Sequence, residues 1–404
     1  MVYLAGDNNL ETFGLKDLHE MNRAGYSDEV AVVAQFDRMS DQVTRRYVFS
    51  GSPDLEGNCV AQLEEMNTGD PKALLDFISW ACRDYPAERY GLILWNHGNG
   101  WKDDDIYRHA WQQGVAERIT RGQARRLASG RTGRAFFSTT LERLIIETAQ
   151  TQRAILFDDS SADFLDNIEL RSVLQQAVAR IGQPIDLLGF DACLMNMLEV
   201  HYQIRDLCKL AVGSQESEPG DGWPYDEILA GLYANPGMAV EDLSKWIVDA
   251  YVGFYQVNHP RLSVTQSAIL LGAIDPLVEA LDELAQALIE TLAEPRGLGL
   301  LFGALRSAQS FSDRDYVDLV HYCRLLSTSA VEDPIDQTAR RIADLLAGET
   351  SPVIAAKHHG PEVTNANGLS IYLPARSLSP LYQRLEISKK HSWHHFLEVF
   401  IGTD

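Results

Sequence analysis

Two short apolar runs constrain this chain more than any other feature. Tyr90–Trp95 reads YGLILW and Ile185–Phe190 reads IDLLGF. Each is nearly continuous, the pattern of a strand buried on both faces. Val2–Ala5, Val30–Phe36 (VAVVAQF) and Leu210–Ser214 read as further strands, with Arg45–Phe49 as a hairpin partner of the second. Helical spacing falls between them. A helix starts near Leu10 after the turn Gly6-Asp7-Asn8-Asn9, and others are expected over Pro71–Tyr85, Ile168–Ile181 and Leu194–Leu207. Strands alternating with helices predict an α/β fold whose mostly parallel sheet is sandwiched by helices.

After about Asp275 the chain becomes mainly helical, Leu277–Leu292 being the clearest helix, and returns through a strand at 368–373 in GLSIYLP. The expected organisation is a core over 1–275 and a mainly helical C-terminal region over 276–404. A length of 404 residues, 45% of them hydrophobic, is ample for one large core, or for a core plus a smaller second unit.

One segment, 103–153, breaks the pattern. Between Arg118 and Arg153 it holds eight Arg, no Lys, and only Glu142 and Glu147 as acids. Its first half has little apolar content, which predicts a loop able to become extended. Elsewhere the chain is acidic, with a net charge of -22. That charge repels nucleic acid and anionic membrane and attracts cations, although acidity also simply keeps a protein in solution. No apolar run approaches a membrane span. Met1 stands directly on a strand with no basic leader before it. The chain is therefore cytoplasmic if it starts there, and secreted if a leader was removed.

Five widely spaced Cys argue against a disulfide framework or a zinc cage. No metal or cofactor is expected. Asp103-Asp104-Asp105 lacks the alternate spacing of a calcium loop and reads as solvated, Asp158-Asp159 reads as a loop cap, and the C-terminal His residues lack partnering ligands.

Chemistry concentrates where the two buried runs end. His97 follows the first, in WNHGNGW, and Cys193 follows the second, in FDACLM. The carboxyl edge of a parallel sheet is where ligands bind. A strand-end His alone equally fits a structural His on a loop carbonyl, and a lone Cys an inert buried thiol. Together on one sheet edge they form the pair that acyl transfer needs. The expected helix after Cys193 offers N–H groups that stabilise a thiolate.

The segments MVYLAGDNNLE, YGLILWNHGNGW, LFDDSSADFLDNIEL, IDLLGFDACLMNMLEV, GSQESEPGDGWPY and NGLSIYLP, in that order, resemble the clostripain family of cysteine peptidases. The resemblance spans most of the chain and implies a caspase-like fold, shared with gingipains and legumains, and cleavage after Arg or Lys. Its His-Gly and Asp-Ala-Cys motifs fall on His97-Gly98 and Asp191-Ala192-Cys193. It implies a Cys193/His97 dyad in an endopeptidase and places Asp191 in the S1 pocket. A helix N-cap is the other reading of Asp191. The Gly98 and Cys193 N–H groups are the expected oxyanion hole. Gly213–Pro219 is expected to pair with an extended substrate, with Ser217 and Glu218 near S1 and S2. The resemblance also implies self-cleavage in the Arg-rich segment, with Arg125, Arg126, Arg131 and Arg134 as candidates. A basic loop docked on an acidic surface is the alternative. Some relatives depend on calcium, although no clear site supports that here. Two other classes stay open: a catalytically silent binding or scaffold protein, and a metal-dependent hydrolase using His97, Cys193 and a third ligand such as His201.

Overall fold

The computed structural model describes residues 1–101, 137–138, 164–294, 297–329 and 334–402. The candidate cleavage residues Arg125, Arg126, Arg131 and Arg134, together with Asp103–Asp105 and Asp158-Asp159, lie outside the described residues.

The early apolar runs form β1 (Val2–Gly6) and β2 (Val33–Arg38), followed by the hairpin strands β3 (Val43–Val48) and β4 (Cys59–Glu64). Next come β5 (Gly91–Trp95), β6 (Phe137–Ser138), β7 (Phe164–Leu165), β8 (Ile185–Asp191), β9 (Cys208–Gly213) and β10 (Val264–Leu270). The C-terminal region supplies β11 (Tyr316–Asp318), β12 (Val353–His359) and β13 (Ser370–Tyr372). Nine of these form one sheet in the order β12-β10-β9-β8-β5-β1-β2-β3-β4. The five central strands β9, β8, β5, β1 and β2 are all parallel, and the outer pairings are antiparallel.

Side-chain alternation explains why both faces are covered. On β1, Tyr3 and Ala5 enter one core while Val2 and Leu4 enter the other. On β5, Leu92 and Leu94 face the first core and Ile93 and Trp95 the second. The first core is closed by helices Pro71–Asp84, Asn167–Ile181, Leu198–Ile204 and Asp275–Leu292, the second by Glu11–Arg23, Tyr225–Ala234 and Val240–Asn258. This is the caspase-like α/β sandwich. No helix among the described residues is long and apolar enough to cross a membrane.

Three elements differ from expectation. The second strand begins at Val33, because Ser27 and Val30 bridge each other in the preceding turn. The helix expected from Leu194 begins only at Leu198. Leu194 adopts a left-handed φ of 62°, and Met197 bridges Ser370 in extended form, so the chain cannot coil until both are passed. The C-terminal region also returns to the main sheet: β12 forms its edge against β10, while the expected strand at 368–373 appears as β13, paired with β11.

Candidate active site

Strands β5 and β8 are hydrogen-bonded neighbours, with Trp95 opposite Asp191. His97 and Cys193 each lie two residues beyond that pair, so the ladder itself brings them to one place. Asn96 carries the alignment past the strand ends. Its N–H donates to the Asp191 carbonyl at 3.2 Å and its side-chain amide to the Ala5 carbonyl at 3.1 Å. The Asn96 side-chain oxygen in turn accepts the His97 N–H. Gly98 must be glycine here, since a Cβ would fall 2.3 Å from the Cys193 carbonyl oxygen.

The surroundings of Cys193 come from a loop and not from a helix end. With the helix starting at Leu198, its dipole is too remote to act on the sulfur, and that expectation is corrected. The Glu218 N–H donates to Cys193 Sγ at 3.2 Å, and the Gly98 N–H and Ser217 hydroxyl also reach it. These donors favour thiolate, yet burial outweighs them and pushes the thiol pKa up. His97 is half-buried, and desolvation lowers its pKa to about 3. Its Nε2 is buried without a hydrogen-bond partner among the described residues. Both shifts favour the neutral thiol and the neutral imidazole.

Below the nucleophile lies a group of buried acids. Asp191, the last residue of β8, points into the second core. Its carboxylate accepts the Tyr225 hydroxyl at 2.8 Å and the Trp223 N–H at 3.3 Å. The helix-cap reading is set aside, because no helix starts there. Burial raises the Asp191 pKa to about 6. Glu218 hydrogen-bonds Asp191 and is held well above the ordinary carboxylate range by burial and by the Asp191 charge. Gln266 donates to Glu218 Oε1 at 3.2 Å. Asp17, on helix Glu11–Arg23, completes the group. It is fully buried, and burial followed by the Asp191 charge drives its pKa well up. Sequence reasoning passed over Asp17. Its signal was an acid on the stripe Gly14, Asp17, Leu18, Met21, the face this helix buries.

The rest of the loop is braced from the far side. The Ser214 hydroxyl and the Gln215 and Glu216 N–H groups all meet Thr265 Oγ1, at 2.9, 3.0 and 3.0 Å. Glu216 O accepts the Leu194 N–H at 3.2 Å and ties the loop to the turn after Cys193. His201 is fully buried and its Nε2 is engaged by Asn196, which anchors the same turn. Among the described residues, no three His, Cys, Asp or Glu side chains form a group that could hold a metal. All five cysteines are free of disulfides.

A model described as the Clostripain family matches residues 2–116 and 143–399. Clostripain of Hathewaya histolytica is 29% identical over 304 residues, 68% of this chain and 48% of that protein. The chain thus spans about half the length of that curated relative. Among solved structures, a secreted C11 cysteine protease from Bacteroides thetaiotaomicron, in complex with an irreversible peptide inhibitor, aligns with a TM-score of 0.65 at 17% identity, over 98% of this chain and 97% of its own. An inactive zymogen C11 protease from Parabacteroides distasonis aligns with a TM-score of 0.62 at 20% identity, over 96% of each chain. At such identities these two likenesses are of fold.

Proposed function

The chain belongs to the clostripain family, and from that premise we propose that it is a cysteine endopeptidase cutting peptide or protein substrates after Arg or Lys. What supports the reading most is the β5/β8 register, in which His97 and Cys193 each follow the Trp95–Asp191 pair by two residues. Cys193 Sγ attacks the scissile carbonyl carbon while its proton passes to His97. His97 then gives that proton to the leaving amine, and the carbonyl re-forms as a thioester. Water, activated by His97, cleaves the thioester and restores the thiol. The tetrahedral oxyanion is held by the Gly98 and Cys193 N–H groups, where one such donor is worth about 3 kcal/mol. The basic P1 side chain enters the acid pocket and pairs with Asp191. The peptide backbone runs along Gly213–Pro219, with Ser217 and Glu218 lining the approach.

Activation by self-cleavage belongs to the same reading. The Arg-rich segment lies in sequence between the two strands that precede the proposed dyad, and cleavage within one chain benefits from high effective concentration. It also offers the residue the pocket is proposed to take.

The test is a panel of fluorogenic peptides differing only at P1 (Arg, Lys, Leu, Glu), run on wild type, Cys193→Ala and His97→Ala. Hydrolysis confined to Arg and Lys, and abolished in both folded variants, supports the proposal. Hydrolysis that survives either substitution refutes the dyad. A fully folded wild type silent on every peptide returns the chain to the scaffold class.

A further inference from the structure

We propose that the β11/β13 pair of the C-terminal region positions His97 for proton transfer, acting through Tyr316 and Trp101. The inference rests on the dyad reading above and adds what holds the imidazole in place.

Every residue beyond His97 in the loop 96–101 is seated against a neighbour. Gly98 lies on the Cys193 carbonyl. The Asn99 carbonyl accepts the Tyr316 hydroxyl at 2.7 Å. Gly100 has a φ of 60°, and a Cβ there would fall 2.4 Å from Met197 Sδ, 2.9 Å from the Tyr316 ring and 3.1 Å from the Leu194 carbonyl oxygen. The chain is pressed between Tyr316 and the turn after Cys193, a fit that only a bare Cα allows. The Gly100 carbonyl also accepts the Asn167 side-chain amide at 3.3 Å. Trp101 is fully buried, in edge contact with Tyr372 and Tyr382 at centroid distances of 4.6 and 4.9 Å. Such aromatic pairs add a directional attraction to the burial itself.

The seat is itself fastened. Tyr316 lies opposite Tyr372 in the antiparallel ladder, with the two rings 6.4 Å apart. The Tyr372 carbonyl accepts the Trp393 indole N–H at 3.0 Å, and the Tyr382 hydroxyl donates to Glu199 Oε1 at 3.0 Å. His97 Nε2 has no hydrogen-bond partner among the described residues, so the placement of the ring falls back on the backbone that carries it.

The Cys193 side is held at the other end of the same ladder, where Asp318 faces Ser370. The Ser370 N–H donates to the Asn196 carbonyl at 3.0 Å. The Gln215 amide donates to Asp318 Oδ2 at 3.0 Å and to Ser370 Oγ at 3.2 Å. One short ribbon thus grips the His97 loop through Tyr316 and Tyr372, and the Cys193 turn and the loop after β9 through Asp318 and Ser370. Loosening the first grip displaces one member of the proposed dyad and leaves the other. Proton transfer needs hydrogen-bond reach, and a misplacement of about 1 Å can cost up to about 100-fold in rate.

The experiment takes whichever peptide of the Arg, Lys, Leu and Glu panel the wild type cleaves fastest. It measures kcat and KM for wild type, Tyr316→Phe, Trp101→Phe and Trp101→Ala, with melting curves as the folding control. Alkylation by iodoacetamide at about pH 9, followed by mass on the peptide that contains Cys193, reports the nucleophile separately. Tyr316→Phe should lower kcat about tenfold and change KM by less than about twofold. Trp101→Ala should lower kcat further, and Trp101→Phe should recover most of that loss. Alkylation should stay within about twofold of wild type in all three. An unchanged kcat in folded Tyr316→Phe or folded Trp101→Ala overturns the positioning role. So does a fall in kcat matched by an equal fall in alkylation, which marks a general loosening of the site. Where a variant at one position fails to melt cooperatively, kcat at the other position decides. A dead His97→Ala beside a fully active Tyr316→Phe overturns this inference alone. Hydrolysis that survives His97→Ala, or a wild type silent on the whole panel, overturns it together with the reading it rests on.

Discussion

The backbone N–H of Glu218 donates to Cys193 Sγ across 3.2 Å, while the side chain of the same residue hydrogen-bonds Asp191. One loop residue thus engages both the proposed nucleophile and the proposed specificity carboxylate. Proton placement in this resting state follows from burial and leads to measurable behaviour.

The resting thiol is expected to be unreactive at neutral pH. Burial holds the Cys193 pKa up and that of His97 down to about 3, which disfavours a thiolate–imidazolium pair. The rate of alkylation by iodoacetamide should climb only above the ordinary thiol pKa of about 8.5. A plateau of fast alkylation between about pH 5 and 7 would show that the ion pair already exists.

Cleavage after basic residues should depend on pH through Asp191. Its pKa of about 6 means that the carboxyl is largely neutral below that value and charged above it. Only the charged form attracts a cation, so kcat/KM for Arg peptides should rise as pH increases through about 6. Asp17, Glu20, Glu218 and Tyr225 surround the group and set the steepness of the rise. Asp191→Asn should lose about 100-fold or more on Arg and Lys peptides and lose this pH step. A profile unaltered by the substitution would assign the step to another group.

A buried acid in the helix that follows the Cys193 turn should govern part of the stability. Glu199 takes the Tyr372 N–H at 2.9 Å and the Tyr382 hydroxyl at 3.0 Å on Oε1, and burial raises its pKa to about 7. Its folded pKa lies above its unfolded one. Its favourable contribution is therefore complete below about pH 4.5 and lost as pH rises through about 7. The difference in unfolding free energy between wild type and Glu199→Gln should shift by roughly 3 kcal/mol across that window, Gln gaining at high pH. Denaturant melts of both proteins at pH 4.5 and 8 measure it, and a constant difference would contradict the assignment.

Self-processing should depend on Cys193. Purified side by side, wild type should appear as two fragments with a junction after Arg125, Arg126, Arg131 or Arg134, and Cys193→Ala as one chain. An intact wild type that is fully active would remove the segment from any role in activation.

The positions of His97 and Cys193 just past two neighbouring strands were legible in the sequence, because a strand buried on both faces leaves a continuous apolar run, and such a run shows where it ends. The parallel centre was legible for the same reason. The turn after Cys193 was not, since Leu194 takes a left-handed conformation without the glycine that ordinarily announces one. Nor was β12, whose pairing partner β10 lies some ninety residues earlier and whose KHH segment has no apolar alternation. The burial of Asp17 was missed because a helix stripe was read for its apolar members and not for the acid among them.

The pairing of β5 with β8 has a consequence for any nicked form of this protein. These strands stand on either side of the segment between Trp101 and Phe164, yet they share a five-residue ladder at the centre of the sheet. A cut in that segment ends covalent continuity without releasing either piece. On the proposed reading the smaller product would carry His97 and the larger Cys193, so activity would require both pieces, joined along what was one protein interior.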